Sequence, residues 1–163
     1  MSKEQKTNAM RFLEKNNIAY KSQTYQCDEF IDGITVAQKL GQSLDETFKT
    51  LIAHGKSGQY YCFLLPVAKE LDLKKAAKSV GEKSVELLHV KDITKVTGYV
   101  RGGCTPIGMK KQFVTVIHNS AETLPEFFIS GGRIGLQIRL SPTELVRSIR
   151  GKFEDIVSGD CKF

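Results

Sequence analysis

Two apolar runs joined by a glycine-containing turn constrain the fold of this 163-residue chain more than any other feature. In Phe48–Ala53, most of the residues on each of the two alternating faces are apolar. The turn Gly55-Lys56-Ser57-Gly58 separates this run from the second one, Tyr60–Val67. Alternate residues of a strand point to opposite sides of a sheet, so a strand of this kind has to be covered on both sides. The pattern predicts an antiparallel hairpin whose first strand is central in its sheet.

Short helix and strand patterns follow one another along the rest of the chain. Ser141-Pro142-Thr143-Glu144 is a capping box with proline at the first helical position, and Asp32 and Asp72 stand at two other helix starts. Helices are predicted over 7–16, 32–40, 73–80, 90–96 and 142–149, and strands over 18–25, 48–53, 60–67, 113–118, 127–130 and 136–140. Because no regular βαβ order appears, we predict the α+β class: a single domain over residues 1–163, with a mixed, barrel-like β-sheet surrounded by helices.

Composition excludes several classes of protein. The mean hydropathy is −0.23 and no long uncharged apolar run occurs, which excludes a transmembrane helix, and the polar N-terminus lacks the apolar core of a signal peptide. The four cysteines are scattered, form no CxxC pair and have no clustered histidines. They are Cys27, Cys62, Cys104 and Cys161. We expect free thiols, no metal, no organic cofactor and a cytoplasmic location.

Positive charge is concentrated in the C-terminal half. Residues 72–163 hold 15 basic and 10 acidic side chains, whereas residues 1–71 hold 9 and 8, and the whole chain carries +6. Such an excess attracts a polyanion such as a nucleic acid, and it is also compatible with an ordinary solvated surface.

Lys49 is the first candidate functional residue, because it interrupts the apolar strand Phe48–Ala53. An unpaired ammonium is costly to bury, so this side chain either reaches water at an edge strand or points into a polar cavity. In the second case it would anchor a carbonyl or phosphate group of a substrate.

The segment Arg101–Gly108 is a glycine- and proline-rich loop that matches neither a P-loop nor a dinucleotide fingerprint. It is either a plain turn or a loop whose backbone N–H groups hold a developing oxyanion. Ser130-Gly131-Gly132-Arg133 is a second small-residue turn with the same two interpretations. Cys104 would need a histidine base to be a nucleophile, and none is near in sequence. A thiol enzyme that uses Cys104 therefore requires the fold to bring His89 or His118 close to it as the base. An enzyme of this kind would work by positioning and by backbone hydrogen bonds.

Five segments in order resemble one known family, the YbaK-type Cys-tRNA(Pro) deacylases, which are related to the editing domain of bacterial prolyl-tRNA synthetases. The similarity spans about residues 7–157. The segments are Phe48-Lys49-Thr50-Leu51, Leu71–Ala77, Thr97–Gly103, Thr105–Gly108 and Ile129–Gly132.

The resemblance implies a trans-editing hydrolase that deacylates mischarged Cys-tRNA(Pro), with Cys-tRNA(Cys) as a further substrate. It gives the catalytic position to Lys49 and a substrate-binding role to nine further residues. These are Tyr25, Thr50, Gly102, Gly103, Cys104, Thr105, Pro106, Ser130 and Gly131. It also implies that the thiol of the substrate attacks its own ester, and that prolyl-tRNA synthetase is a partner.

Gln137 departs from the family pattern, since cysteine-specific members often carry aspartate there. An amide can accept a hydrogen bond but cannot pair with an ammonium charge. Two alternatives therefore stay open: a deacylase for Ala-tRNA(Pro) or another mischarged tRNA, and a non-catalytic tRNA-binding module. The module would depend on the basic residues Lys74, Lys75, Lys110 and Lys111.

Overall fold

The computed structural model describes residues 6–26 and 32–158. Its helices are α1 (Asn8–Lys15), α2 (Gly33–Leu40), α3 (Leu73–Ser79), α4 (Val90–Thr97) and α5 (Pro142–Ile149). Its strands are β1 (Tyr20–Thr24), β2 (Phe48–Gly55), β3 (Tyr60–Pro66), β4 (Val85–Leu87), β5 (Val114–His118), β6 (Phe127–Ser130), β7 (Leu136–Leu140) and β8 (Lys152–Glu154). A 3-10 turn, Asn119–Thr123, follows β5.

The strands form two sheets. A mixed five-stranded sheet has the order β4-β2-β3-β5-β8, in which β3 and β5 are parallel, β5 and β8 are parallel, and the other pairs are antiparallel. An antiparallel sheet has the order β1-β7-β6. A bridge between Thr47 and Phe128 joins the two sheets, and the ring of Phe48 packs edge-on against Phe127 with centroids 5.1 Å apart.

The α+β class is confirmed. The predicted single mixed sheet is divided in two, and within the described residues it does not close into a barrel, because β1, β4 and β8 remain edge strands. The reason is that a single bridge joins the two sheets, between Thr47, the residue before β2, and Phe128 of β6.

The hairpin β2–β3 forms the centre of the larger sheet, as the apolar runs predict. On one face of β3, Cys62 and Leu64 join the main hydrophobic core, which also contains residues of β6, β7 and α5. On the other face, Tyr61 and Phe63 pack with residues of α3. Both faces are thus covered, as a strand with two apolar faces requires.

The helix starts predicted at Asp32, Asp72 and Ser141 are confirmed, and the predicted helix ends agree with the structure to within one residue. The Ser141 hydroxyl accepts a hydrogen bond from the Glu144 N–H at 3.2 Å, and Pro142 is the first helical residue. Gly41 and Gly98 end α2 and α4 with φ of 68° and 88°, in the left-handed region that favours glycine. Among the described residues, no helix is long and apolar enough to cross a bilayer.

Candidate functional site

A cavity of about 670 Å³ opens between the two sheets, at the end of β2 where Thr47 bridges to β6. Helices α2 and α4 and the loop that follows α4 complete its walls. It is lined by Tyr25, Asp32, Gly33, Ile34, Thr35, Val36, Thr47, Phe48, Lys49, Thr50, Leu51, Ile52, Val67, Leu87, Leu88, Val90, Ile93, Arg101, Gly102, Cys104, Ile129, Ser130, Leu136 and Gln137.

Lys49 is half-buried in the wall of this cavity, on an interior strand of the larger sheet. Its ammonium lies 3.4 Å from the carbonyl oxygen of Val67. Burial lowers the pKa of Lys49, and the nearby charge of Glu70 opposes this shift. The sequence left two locations open for this side chain. In the structure it lies in the wall of the cavity and not on an edge strand that faces water.

The loop that follows α4 presents Gly102 and Cys104 to the cavity. The Gly103 N–H donates to the carbonyl of Val100 at 2.9 Å, so it is not available to a ligand. Gly103 also lies so close to the backbone of Arg133 that an added Cβ would stand 2.7 Å from its Cα. This contact fixes the loop against the turn after β6, and it leaves Gly102 and Cys104 as the candidates for oxyanion donors.

The following part of the loop is buried behind the cavity wall. Thr105 and Pro106 are buried and do not line the cavity. The side-chain amide of Gln112 donates to the Pro106 carbonyl at 3.0 Å, and the Tyr99 hydroxyl donates to the Ile107 carbonyl at 2.8 Å. The hydroxyl of Thr105 has no hydrogen-bond partner within the described structure. This part of the loop therefore supports the wall from behind.

The second small-residue turn supports the first. Ser130 lines the cavity, and its hydroxyl donates to the Gly102 carbonyl at 3.2 Å. Gly131 does not line it: its N–H donates to the Leu136 carbonyl at 2.9 Å, and its own carbonyl accepts from the Thr7 hydroxyl at 2.6 Å. Gly131 is thus a structural residue of the turn, while Ser130 connects the turn to the loop.

An amide pair stands at the inner end of the cavity. The Gln42 side chain donates to the Gln137 carbonyl oxygen at 2.5 Å, and the Gln137 amide donates back to the Gln42 oxygen at 3.0 Å. Gln137 is 5% exposed and lines the cavity. Gln42 lies behind it, and its side-chain oxygen also accepts a hydrogen bond from the Thr47 hydroxyl at 3.2 Å. The pair provides polar contacts without charge.

Tyr25 and Thr50 line the cavity as well. The Tyr25 N–H donates to the Gly135 carbonyl at 2.9 Å, which fixes the end of β1 beside the loop before β7. The Thr50 hydroxyl is buried and has no partner among the described residues, so it is a polar group in the wall with unused hydrogen-bonding capacity.

The thiol of Cys104 is not set up as a nucleophile. Burial raises the pKa of Cys104 to about 11, although contacts to the Thr97 hydroxyl and the Thr105 N–H favour the thiolate. None of the described residues that line the cavity is a histidine. His118, the candidate base, is engaged with Ser120 and Asp155.

Sequence reasoning missed most of the apolar wall. It is formed by Leu87 and Leu88 with Val90 and Ile93 of α4, and Leu87 and Val90 remain 47% and 53% exposed. Large exposed apolar side chains at a cavity mouth are a signal for a ligand, but the sequence does not show which of its apolar residues are exposed. Arg101 adds a cation at the same mouth.

Of the ten predicted site residues, six come together at the cavity and four do not. Lys49, Tyr25, Thr50, Gly102, Cys104 and Ser130 line it. Gly103, Thr105, Pro106 and Gly131 lie behind it. The thiols of Cys62 and Cys104 are free, while Cys27 and Cys161 lie outside the described residues. In residues 6–26 and 32–158, no group of three or more metal-ligating side chains occurs.

Comparison with known proteins identifies the family and the fold. The family model of the aminoacyl-tRNA editing domain matches residues 33–148. An Enterococcus faecalis protein, EbsC, named as a candidate Cys-tRNA(Pro)/Cys-tRNA(Cys) deacylase, is 41% identical over 156 residues, which cover 95% of each chain. Two solved structures, each 23% identical, show the same fold. The hypothetical protein APE2540 has a TM-score of 0.85 and covers 93% of this chain and 99% of its own. A candidate trans-editing enzyme for prolyl tRNA synthetase has a TM-score of 0.79, with 96% and 100% covered.

The resemblance carried by the five sequence segments is therefore confirmed at the level of the family. The segments Phe48–Leu51, Thr97–Gly103 and Ile129–Gly132 are the ones that build the cavity wall. With a family model over most of its length and a relative of 41% identity, this chain belongs to the aminoacyl-tRNA editing domain family.

Proposed function

We propose that this chain is a trans-editing enzyme that deacylates mischarged Cys-tRNA(Pro), with Cys-tRNA(Cys) as a further substrate. Family membership and the name of the Enterococcus relative support the reaction class. The observation that carries the proposal is one cavity that holds the Lys49 ammonium, the loop residues Gly102 and Cys104, and the Ser130 hydroxyl. These are groups that position an ester and stabilise an oxyanion.

Each group has a defined part in this proposal. Lys49 orients the aminoacyl end and offsets the negative charge that develops on it. The N–H groups at Gly102 and Cys104 bind the ester carbonyl oxygen as it becomes an oxyanion. Ser130 keeps the loop in place through its hydrogen bond to Gly102. Tyr25 and Thr50, which also line the cavity, contact the substrate.

The substrate supplies the nucleophile. Its thiol sulfur attacks the carbonyl carbon of its own ester, the bond from that carbon to the ribose oxygen breaks, and the thiol proton passes to the ribose hydroxyl that leaves. The products are free tRNA and a cyclic cysteine thioester, which water then opens. This chemistry accounts for a cavity whose own thiol, Cys104, has a pKa raised to about 11. It also rejects alanine and proline esters, because they have no sulfur.

The amide pair Gln42–Gln137 bears on amino-acid preference. An uncharged amide can hydrogen-bond a thiol or an amine but cannot form an ion pair with an ammonium group. We therefore infer that this part of the cavity selects by shape and hydrogen bonding. Deacylation of Ala-tRNA(Pro) is the alternative, and Cys-, Ala- and Pro-tRNA(Pro) compared side by side distinguish the two.

The central experiment measures release of labelled cysteine from Cys-tRNA(Pro) by the wild type, Lys49→Ala and Lys15→Ala. Lys15 is exposed at the end of α1, does not line the cavity and serves as the matched control. We expect Lys49→Ala to lose about 100-fold or more in kcat/KM, as for loss of an oxyanion donor, and Lys15→Ala to retain full activity. No release by the wild type, or full activity in Lys49→Ala, contradicts the proposal.

A non-catalytic tRNA-binding module would behave differently, because it would have no deacylase activity for Lys49→Ala to remove. The wild type would bind tRNA and release no amino acid. The same release assay, paired with tRNA binding, separates the two functions.

We also propose the cytoplasm as the compartment and prolyl-tRNA synthetase as a partner that directs the enzyme to tRNA(Pro). The partner rests on the resemblance described above. Its test is the ratio of deacylation rates on Cys-tRNA(Pro) and Cys-tRNA(Cys) with and without added synthetase. A ratio that does not change on addition contradicts this partner.

A further inference from the structure

A second concave surface, of about 650 Å³, lies between the C-terminal end of α4, the turn between β2 and β3, and the start of β5. We call it the α4 groove. It is lined by Gly58, Gln59, Tyr60, Lys95, Val96, Lys111, Gln112, Phe113 and Val114. Aromatic, basic and amide side chains line it, and no acidic side chain is among the described residues that do so.

The aromatic part of the groove offers a stacking surface. Tyr60 packs against Phe113 with ring centroids 5.4 Å apart and a tilt of 40°, and it remains 37% exposed. Val114, beside them, is 51% exposed. A supported and partly exposed aromatic ring beside positive charge is the arrangement that binds single-stranded nucleic acid, because every base has a face that can stack.

The basic part of the groove surrounds this ring. Lys95 and Lys111 line it and are exposed, and neither forms an ion pair with another described residue. Lys110 is anchored beside them, with its ammonium 3.2 Å from the Lys95 carbonyl. Lys75 of α3, by contrast, is paired with Asp155. Of the four basic residues weighed from the sequence, Lys111 alone is among the described residues that line the groove.

Helix α4 places the groove next to the cavity. Val90 and Ile93 of this helix line the cavity, while Lys95 and Val96 line the groove. Ile93 and Lys95 are two residues apart, a rise of about 3 Å along the helix axis, so the groove begins within one helical turn of the part of α4 that lines the cavity. The amide of Gln112, which lines the groove, also holds the Pro106 carbonyl of the loop.

We propose that the α4 groove binds the single-stranded nucleotides that precede the aminoacylated terminal adenosine of tRNA. A base stacks on Tyr60, and Lys95 and Lys111 contact the phosphates. This inference rests on the proposed function for the identity of the RNA. Because all tRNAs end in the same CCA sequence, the groove contributes affinity and does not select among tRNAs.

The test measures binding of a fluorescein-labelled single-stranded RNA ending in CCA, by anisotropy over a series of salt concentrations. Tyr60→Ala should weaken binding by about tenfold through loss of stacking, while Tyr60→Phe should bind like the wild type. Lys95→Gln/Lys111→Gln should reduce the slope of log K against log salt by about 1.4 for two lost phosphate contacts. Lys15→Gln/Lys21→Gln, which removes two exposed charges on α1 and β1, is the matched control and should change the slope little.

A second measurement compares two substrates, Cys-tRNA(Pro) and cysteinyl-adenosine, which lacks the preceding nucleotides. The groove variants should raise KM for the tRNA and leave cleavage of cysteinyl-adenosine unchanged. Unchanged RNA affinity in all groove variants overturns the proposal. So does a loss of prolyl-tRNA synthetase binding with RNA affinity intact, because the groove would then be a protein interface. A wild type that binds the RNA through the groove but cleaves neither ester contradicts only the proposed function.

Discussion

Lys49 occupies a position in which its charge opposes folding. Burial lowers the pKa of its ammonium, so the unfolded chain binds this proton more readily than the folded one. At neutral pH the charged side chain therefore reduces the free energy of unfolding. Functional residues at a cavity wall often reduce the stability of a fold, and Lys49 fits this pattern.

We expect Lys49→Met to raise the melting temperature while it removes deacylase activity. Methionine retains the length of the side chain and needs no counter-charge, so the substitution removes the unfavourable free energy of the half-buried ammonium. Thermal unfolding at pH 7 measures the change, with Lys56→Met as the exposed control. A lower melting temperature for Lys49→Met would show that the ammonium contributes to the fold.

Thr105 provides a second prediction at the scale of one residue. Its hydroxyl is fully buried and has no partner in the described structure. Thr105→Val removes this unsatisfied group at nearly constant volume and should increase the free energy of unfolding by about 1 kcal/mol. Thr115→Val is the matched control, since that buried hydroxyl donates to the Phe113 carbonyl at 3.0 Å and its loss should destabilise. Urea unfolding measures both.

The sequence could predict the location of Lys49 and of the glycine-rich loop, because both interrupt regular patterns. It could not divide the loop into residues that line the cavity and residues behind it. That division depends on the close approach of Gly103 to Arg133, which lie 30 positions apart in the chain. The partner of Gln137 is Gln42, in the loop after α2 and 95 positions away in the chain, and no local signal indicates this pair.

At the scale of elements, the amide pair connects the end of α2 to β7 across 95 positions of the chain. Gln42→Leu leaves the Gln137 amide without its partner and should lower the free energy of unfolding by about 1–3 kcal/mol. In the double variant Gln42→Leu/Gln137→Leu, both polar groups are removed, so the cost should be smaller than the sum of the single costs. Urea unfolding of the four proteins gives the coupling. Additive costs would mean that the pair is not coupled.

The predicted elements were confirmed where several residues agreed locally. The hairpin β2–β3 has two apolar runs and a turn, and α5 has a capping box. The strands β4 and β8 were missed, because each has only three residues and pairs with a strand distant in the sequence. Three residues are too few to show an alternating pattern.

At the scale of the whole molecule, His118 connects the end of β5 to the segment that follows the edge strand β8. Its Nδ1 accepts the Ser120 N–H at 3.3 Å, and its Nε2 lies 3.4 Å from the carboxylate of Asp155, which is also paired with Lys75. Burial lowers the pKa of His118, although Asp155 acts in the opposite direction. The folded protein therefore binds this proton less readily than the unfolded chain.

We expect the free energy of unfolding to decrease as the pH falls below about 6.5, the unperturbed histidine value. The sign follows from the lowered pKa of His118 in the folded protein. Its contribution to the free energy of unfolding is fully present above the pKa of the unfolded chain, and it is lost as the pH falls through the pKa of the folded protein. Urea unfolding between pH 7.5 and 5 measures this, and His118→Gln, which cannot take up the proton, should make the dependence flatter. An unfolding free energy that increases on acidification over this range would contradict the prediction.

During synthesis, Lys49 leaves the ribosome well before the residues that enclose it. The loop at Gly102 and the turn at Ser130 come later, and β1 acquires its partner only when Leu140, which pairs with Tyr20, has been made. A chain grows from its N-terminus, so a nascent chain that has not yet reached Leu140 lacks part of the cavity wall. We expect such a nascent chain to be inert toward the aminoacyl-tRNAs that are being used to build it.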